Sequence, residues 1–300
     1  MPPCPTRPVS RRQFLIGGSV ATGAVLLGAC SGDGSGGGDE PTGPSPASGL
    51  SLVQFFGGLP MLAAGAEVRA PFGLADAEGL LPVDRTPAEL SVSILGPDGR
   101  TVVETIDVAR HAEGLPNGYF PLRFTVDEPG IYTGRSEVDG EAVEMAIKVD
   151  TAADVTVIQI GATLPALVSP TLEAPQGVDP VCTNDPVCPL HEVTVADALG
   201  EGRPIALLVA TPAFCQISIC GPVLEVLLDV TADHPDVRFL HAEVYVDPLT
   251  DLDLKAPVVA ELGLTFEPCL VLVGRDGTVA DRLDTIYDTD ELREALARLA

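Results

Sequence analysis

The chain has 300 residues, with 17 basic side chains against 43 acidic ones and a formal net charge of −26. That length allows two ordinary domains with separate cores. The acidic balance excludes a nucleic-acid-binding role, which needs a basic footprint, and after residue 30 no apolar run is long enough to span a bilayer. The acids are spread along the chain rather than blocked, as on a solvated surface.

At the N-terminus, Ser10-Arg11-Arg12-Gln13-Phe14-Leu15 is similar to a twin-arginine export signal. The Gly- and Ala-rich apolar stretch from Leu15 to Ala29 falls short of the roughly 20 residues of a spanning helix. It ends in Leu27-Gly28-Ala29-Cys30, which resembles the lipobox of bacterial lipoproteins. The resemblance implies removal of residues 1–29, lipidation of Cys30, and a protein anchored at the outer, extracytoplasmic face of the cell membrane. Residues 30–49, rich in Gly, Ser, Pro and acid, cannot bury a core and read as a flexible tether.

Residues 50–150 read as all-β. Apolar residues alternate in Leu90, Val92, Ile94, in Leu122, Phe124, Val126, and in Val143, Met145, Ile147, Val149. Turn signals separate the runs, as at Pro97-Asp98-Gly99 and Val138-Asp139-Gly140. This spacing predicts a β-sandwich. The segment Asp127-Glu128-Pro129-Gly130-Ile131-Tyr132 resembles the turn leading into a late strand of immunoglobulin-like domains, with Tyr132 near a corner. No cysteine and no catalytic cluster is present in this region, and His111 reads as an exposed loop histidine.

Residues 151–190 carry six prolines from Pro165 to Pro189 and read as an extended connector. Cys182 and Cys188 lie within it, followed by His191. In an oxidising compartment the first reading of the pair is a structural disulfide. A second redox pair is another reading. A metal site from Cys182, Cys188 and His191 is a third, but the spacing is not that of a zinc knuckle and a fourth ligand is missing, so no metal is expected; nor is any cofactor.

From Thr194 helices and strands alternate. Helices are predicted at Val195–Leu199, Pro222–Val230, Ala256–Leu262 (ended by Gly263) and Asp290–Leu299 (capped by Thr289). Strands are predicted at Ile205–Ala210, Val237–Val246, Cys269–Val273 and Thr278–Leu283. The order indicates a mixed sheet flanked by helices. Cys215 and Cys220 stand at a strand-to-helix junction, where the helix dipole favours the reactive thiolate.

Residues 191–300 resemble the thioredoxin-like superfamily. The resemblance rests on the strand before Cys215, the cysteine pair opening a helix at Pro222-Val223-Leu224-Glu225, Glu267-Pro268 before a strand, Gly274-Arg275-Asp276-Gly277, and a final amphipathic helix. It implies that Pro268 is cis and lies against the active-site sulfur, with Phe214 and Cys269 bordering the substrate groove. Four residues separate the cysteines here, against two in thioredoxins, so if the pair is to bond Cys215 must precede the helix or the first turn must unwind. Phe214 stands where thioredoxins have tryptophan, and the buried acid of their preceding strand has no match in Ile205–Ala210. Cys269 reads either as a third redox thiol or as an inert core cysteine.

These residues imply a membrane-tethered thiol–disulfide oxidoreductase acting on extracytoplasmic protein thiols or disulfides. Cys215 is the expected attacking group and Cys220 the resolving one. A non-catalytic scaffold with a ligand-binding sandwich is the alternative. A thiol peroxidase is a lesser one, since some peroxiredoxins share the C-x4-C spacing; there Pro212 occupies the position of their threonine, while Thr211 lies one residue earlier.

Overall fold

A computed structural model describes residues 49–215 and 217–299. The expected signal (1–29), Cys30 and the tether up to residue 48 lie outside the described residues. Among the described residues, no helix is long and apolar enough to cross a membrane.

The first half is all-β. Its strands are β1 (Ser51–Gln54), β2 (Glu67–Asp76), β3 (Gly79–Leu80), β4 (Glu89–Leu95), β5 (Thr101–Ala109), β6 (Phe120–Thr125), β7 (Gly130–Val138) and β8 (Glu141–Val149). They form two antiparallel sheets, one of β1, β2, β3 and β6, the other in the order β5-β4-β7-β8. Every alternating apolar residue singled out in the sequence is buried, and the two sheets share one core around Phe72, Ile94, Leu122 and Ile147. The Tyr132 hydroxyl donates to the Glu128 carbonyl at 2.6 Å, which closes the turn before β7.

β2 departs from the alternation. It is buried over consecutive residues from Val68 to Ala75. A strand buried on both faces needs a second layer outside its own sandwich, and here the rest of the chain supplies it.

That second half contains α1 (Val195–Gly200), β9 (Ile205–Val209), α2 (Cys220–Val230), β10 (Arg238–Ala242), β11 (Tyr245–Asp247), β12 (Asp251–Lys255), α3 (Pro257–Glu261), β13 (Cys269–Val273), β14 (Val279–Asp284) and α4 (Thr289–Ala297). The order β10-β9-β13-β14 makes a mixed sheet: β10 is parallel to β9, and β13 and β14 are each antiparallel to their neighbours. β9 and β13 are buried throughout, as central strands covered on both faces are.

Four local expectations change. The strand predicted at Val237–Val246 breaks after Ala242, and the hairpin of β11 and β12 follows it. Asp288, rather than Thr289, caps α4, accepting from the Glu291 N–H at 2.8 Å. The proline-rich segment 151–190 has no helix or strand, yet it is packed: Val155, Val157, Leu164 and Val178 are buried. It docks on α3, where Gly263 has φ +61 and an added Cβ would lie 2.1 Å from the Thr156 carbonyl oxygen. His111 is not a free loop side chain; its Nδ1 lies 2.8 Å from Asp288 Oδ1.

The Asp288 contact belongs to a buried network between the two halves. Arg69 on β2 donates Nε and Nη2 to the two carboxylate oxygens of Glu291 on α4, both at 2.6 Å. Its remaining N–H groups reach the carbonyls of Asp284 (2.9 Å) and Ile286 (2.5 Å). The Tyr119 hydroxyl donates to Glu291 at 2.6 Å and accepts from the Asp288 N–H. Each nitrogen of the guanidinium therefore donates to a carboxylate or a carbonyl in a dry site, in four hydrogen bonds. Glu291→Ala is expected to leave Arg69 buried without its counter-charge and to cost about 3–5 kcal/mol. Replacing both partners, Arg69→Met with Glu291→Leu, is expected to recover much of that loss; chemical denaturation of the variants measures it.

Candidate functional site

Cys215 follows β9 and a short turn in which the Phe214 N–H donates to the Thr211 carbonyl at 3.2 Å. α2 begins only at Cys220, with Pro222 in its first turn where a missing N–H is tolerated. Cys215 thus stands outside the helix, as a bond to Cys220 requires. Ser218 is left-handed at φ +57, and it folds the segment between the cysteines back on itself. The backbone N–H groups of Cys220, Ile217 and Ile219 favour the Cys215 thiolate.

The two sulfurs are 2.6 Å apart, with the Cys220 thiol donating to Cys215. That hydrogen bond, together with the three N–H groups, outweighs partial burial and lowers the Cys215 thiol to about 5. Cys220 is fully buried, and its thiol is raised by donating to Cys215 and by desolvation. One sulfur is therefore half-exposed and ionised at neutral pH, and the other is buried and protonated.

An acid that the sequence reading did not assign stands beside them. Glu267 Oε2 lies 3.8 Å from Cys220 Sγ. Burial first, and then the Cys215 thiolate, raise its carboxyl to about 8. β9 carries no such acid; this one lies two residues before β13. Its position next to Pro268, which the superfamily resemblance sets against the sulfur, was the available clue. The Glu267–Pro268 peptide bond is cis.

Cys269 follows directly, but strand alternation turns it away. It packs with Leu207, Val209 and Val271 in the core on one side of the sheet, while Cys220 packs with Leu208, Leu270 and α2 on the other. Cys269 is fully buried, and desolvation raises its thiol far above the usual range. This is the environment of an inert core cysteine. Phe214 packs on the Cys269 side.

Two clefts border the pair. One, of about 200 Å³, is lined by Ile217, Tyr245, Lys255, Phe266 and Glu267 among others. The second brings Phe55, Leu80, Pro116 and Asn117 of the β-sheet lobe against Ile217, Ser218 and Ile219.

Cys182 and Cys188 are buried behind the same turn and are free thiols, as are the other three described cysteines. The fourth donor that the sequence lacked is His241 on β10. Ligand atoms of Cys182, Cys188, His191 and His241 all lie within 4.8 Å of one another. One of the grounds for expecting no metal there, a missing ligand, is removed.

No protein-family model matches the chain, and no curated protein matches it. A solved structure described as "MTB dsbF in its mixed oxidized and reduced forms" is similar over 46% of this chain and 100% of that one, at 23% sequence identity and a TM-score of 0.33.

The environments separate the thiols by reactivity. With a charge-neutral alkylating reagent, Cys215 is expected to label with a rate that rises through a midpoint near pH 5, the value set by its hydrogen-bond donors. Cys269 is expected to stay unlabelled until the chain unfolds. Mass spectrometry after timed quenching checks both.

Proposed function

We propose that this protein is a thiol–disulfide oxidoreductase of thioredoxin-like fold. In this reading it is exported, lipid-anchored through Cys30 at the outer face of the cell membrane, and joined to an immunoglobulin-like sandwich. The observation that carries the catalytic reading is the partly exposed Cys215 sulfur, 2.6 Å from the Cys220 sulfur at the start of α2. The export and lipid motifs support the location. The Tyr132 hydroxyl bond to the Glu128 carbonyl supports the sandwich assignment.

In the exchange, the Cys215 thiolate attacks a substrate disulfide. A Cys215–substrate bond forms, the substrate S–S bond breaks, and the leaving thiolate takes the proton of Glu267. Consuming the thiolate removes the larger of the two neighbouring charges that, with burial, keep Glu267 protonated. The resulting carboxylate then takes the proton of Cys220, whose sulfur attacks Cys215 and releases the second substrate thiolate. The products are a Cys215–Cys220 disulfide and a reduced substrate, and the same steps reversed oxidise a dithiol. Protein thiols or disulfides outside the cytoplasm are the substrates, and the cleft between Tyr245, Lys255 and Phe266 is the docking groove.

A thiol stabilised as thiolate stabilises the reduced form, so the pair belongs among exchange couples at about −120 to −270 mV. Redox titration read by differential alkylation tests this; a value below about −300 mV would mark a structural staple and sink the catalytic reading. Cys215→Ser is expected to abolish turnover of a disulfide substrate, and Cys220→Ser to accumulate the mixed disulfide. Glu267→Gln is expected to slow resolution of that mixed disulfide about 100-fold or more. It should leave Cys215 alkylation near pH 5 unchanged, because the Glu267 carboxyl is already neutral there. Rapid-quench mass spectrometry of the intermediate separates the two steps.

A further inference from the structure

We propose that Cys182, Cys188, His191 and His241 form a four-coordinate zinc site, distinct from the exchange pair and independent of the redox reading. The four side chains come from two places. Cys182, Cys188 and His191 lie in the irregular segment before α1, and His241 lies on β10, the edge strand of the mixed sheet. The segment is laid against that edge: the His241 N–H donates to the Leu190 carbonyl at 3.0 Å.

The donor atoms already approximate the polyhedron. Metal–sulfur bonds of about 2.3 Å and metal–nitrogen bonds of about 2.0–2.1 Å give tetrahedral donor edges of about 3.3–3.8 Å. His241 Nδ1 is 3.4 Å from Cys188 Sγ and 3.9 Å from Cys182 Sγ. All four atoms lie within 4.8 Å of one another, so drawing in the widest edge by about an ångström completes the shell.

The surroundings fit a metal as well. His241 Nε2 lies 3.1 Å from the Ala210 carbonyl, which can only accept, so Nε2 carries the proton and Nδ1 offers its lone pair to the sulfurs. A backbone carbonyl orienting the far nitrogen is the usual outer support of a metal-bound imidazole. The Cys188 N–H donates to Cys182 Sγ at 3.4 Å, which supports a thiolate there. His191 is 1% exposed, and neither of its ring nitrogens has a hydrogen-bond partner. An orphaned buried imidazole is costly, and a metal bond gives it a role.

The charge also balances. Two thiolates and two neutral imidazoles around one divalent ion make a neutral centre, which tolerates burial where a lone ion does not. Binding releases the two thiol protons. The softness of two sulfurs with two imidazoles in a tetrahedral set selects zinc over magnesium or calcium. The site would pin the segment that holds the exchange turn in place, since Thr183 Oγ1 accepts from the Ala213 N–H at 3.2 Å and the Thr183 N–H donates to Glu243 at 2.5 Å.

The test uses the full chain, reduced and stripped of metal, then loaded with Zn(II) or Co(II). The expected result is one ion per chain, with zinc protecting Cys182 and Cys188 from alkylation while Cys215 still labels. Co(II) should give the intense visible absorption of a four-coordinate site and a thiolate-to-cobalt band in the near ultraviolet. Cys188→Ser should about halve that band, in proportion to the sulfurs left. His191→Phe, which keeps the ring volume, should weaken Co(II) binding at least about tenfold, and Cys215→Ser should change neither. If His191→Phe fails to fold, the protection pattern and spectrum of the unaltered chain decide. Failure of the reduced chain to take up either ion would overturn the site, as would a Cys182–Cys188 disulfide that re-forms in the presence of zinc. Binding of Cu(I) alone would overturn the zinc assignment, and loss of the spectrum in Cys215→Ser would move the metal to the exchange pair.

Discussion

The Arg69 guanidinium is the fixed point from which the geometry of the exchange site can be traced. It holds the Glu291 carboxylate and the carbonyls of Asp284 and Ile286 at once. Those groups bracket the loop between β14 and α4. Inside that loop, the Thr285 N–H donates to the Pro268 carbonyl at 2.8 Å, and the Tyr287 hydroxyl donates to the Val223 carbonyl in the first turn of α2 at 2.9 Å. One loop therefore touches both the strand entry beside Glu267 and the helix entry beside Cys220. A cation on the β-sheet lobe determines where that loop can sit. This gives the first half of the chain a physical connection to chemistry it does not itself perform.

The network also explains why β2 lacks the alternation of its neighbours. A strand with one solvated face reads apolar and polar in turn; β2 carries Arg69 and Pro71 between Val68, Ala70 and Phe72, and all are buried. Arg69 can be buried because each of its three nitrogens donates to a partner, and removing the partner rather than the pair is what costs stability. The sequence carries no mark of this, because the partners are 222 positions apart.

What was legible in the sequence was local. Alternation in β4, β6 and β8, the turn before β7, the helix with Gly221-Pro222 in its first turn and the break at Gly263 are all set by neighbouring residues, and each is present, although that helix opens at Cys220 rather than at Pro222. What escaped depended on pairing across the fold. The composition of 151–190 suggested an extended connector, but Val155 and Val157 join the core of the β-sandwich, and Leu164 and Val178 find apolar surfaces on α3 and the mixed sheet. The β12 hairpin strand was missed because all five of its residues are exposed, so burial imposed no pattern on it. Glu267 and His241 were missed for a shared reason: each lies in a different element from the cysteines it approaches, and only the sheet order brings it there.

Five thiols of one intrinsic chemistry end up in unlike states because their surroundings differ. Strand alternation puts Cys269 on the far side of the sheet from the helix, where burial and the Asp284 carboxylate oppose its anion more than Arg282 favours it. Helix packing buries Cys220 beside an acid that can exchange its proton. Around the left-handed Ser218, three backbone N–H groups favour the Cys215 thiolate, and that sulfur is left half-exposed. Cys182 and Cys188 face two imidazoles instead of a helix terminus. Reactivity follows from access combined with stabilisation of the thiolate, and Cys215 is the described sulfur with both. In the proposed exchange the same sorting would protect the site: with the other four described sulfurs buried, an incoming disulfide would meet one described nucleophile, with Cys220 on the inner side of it.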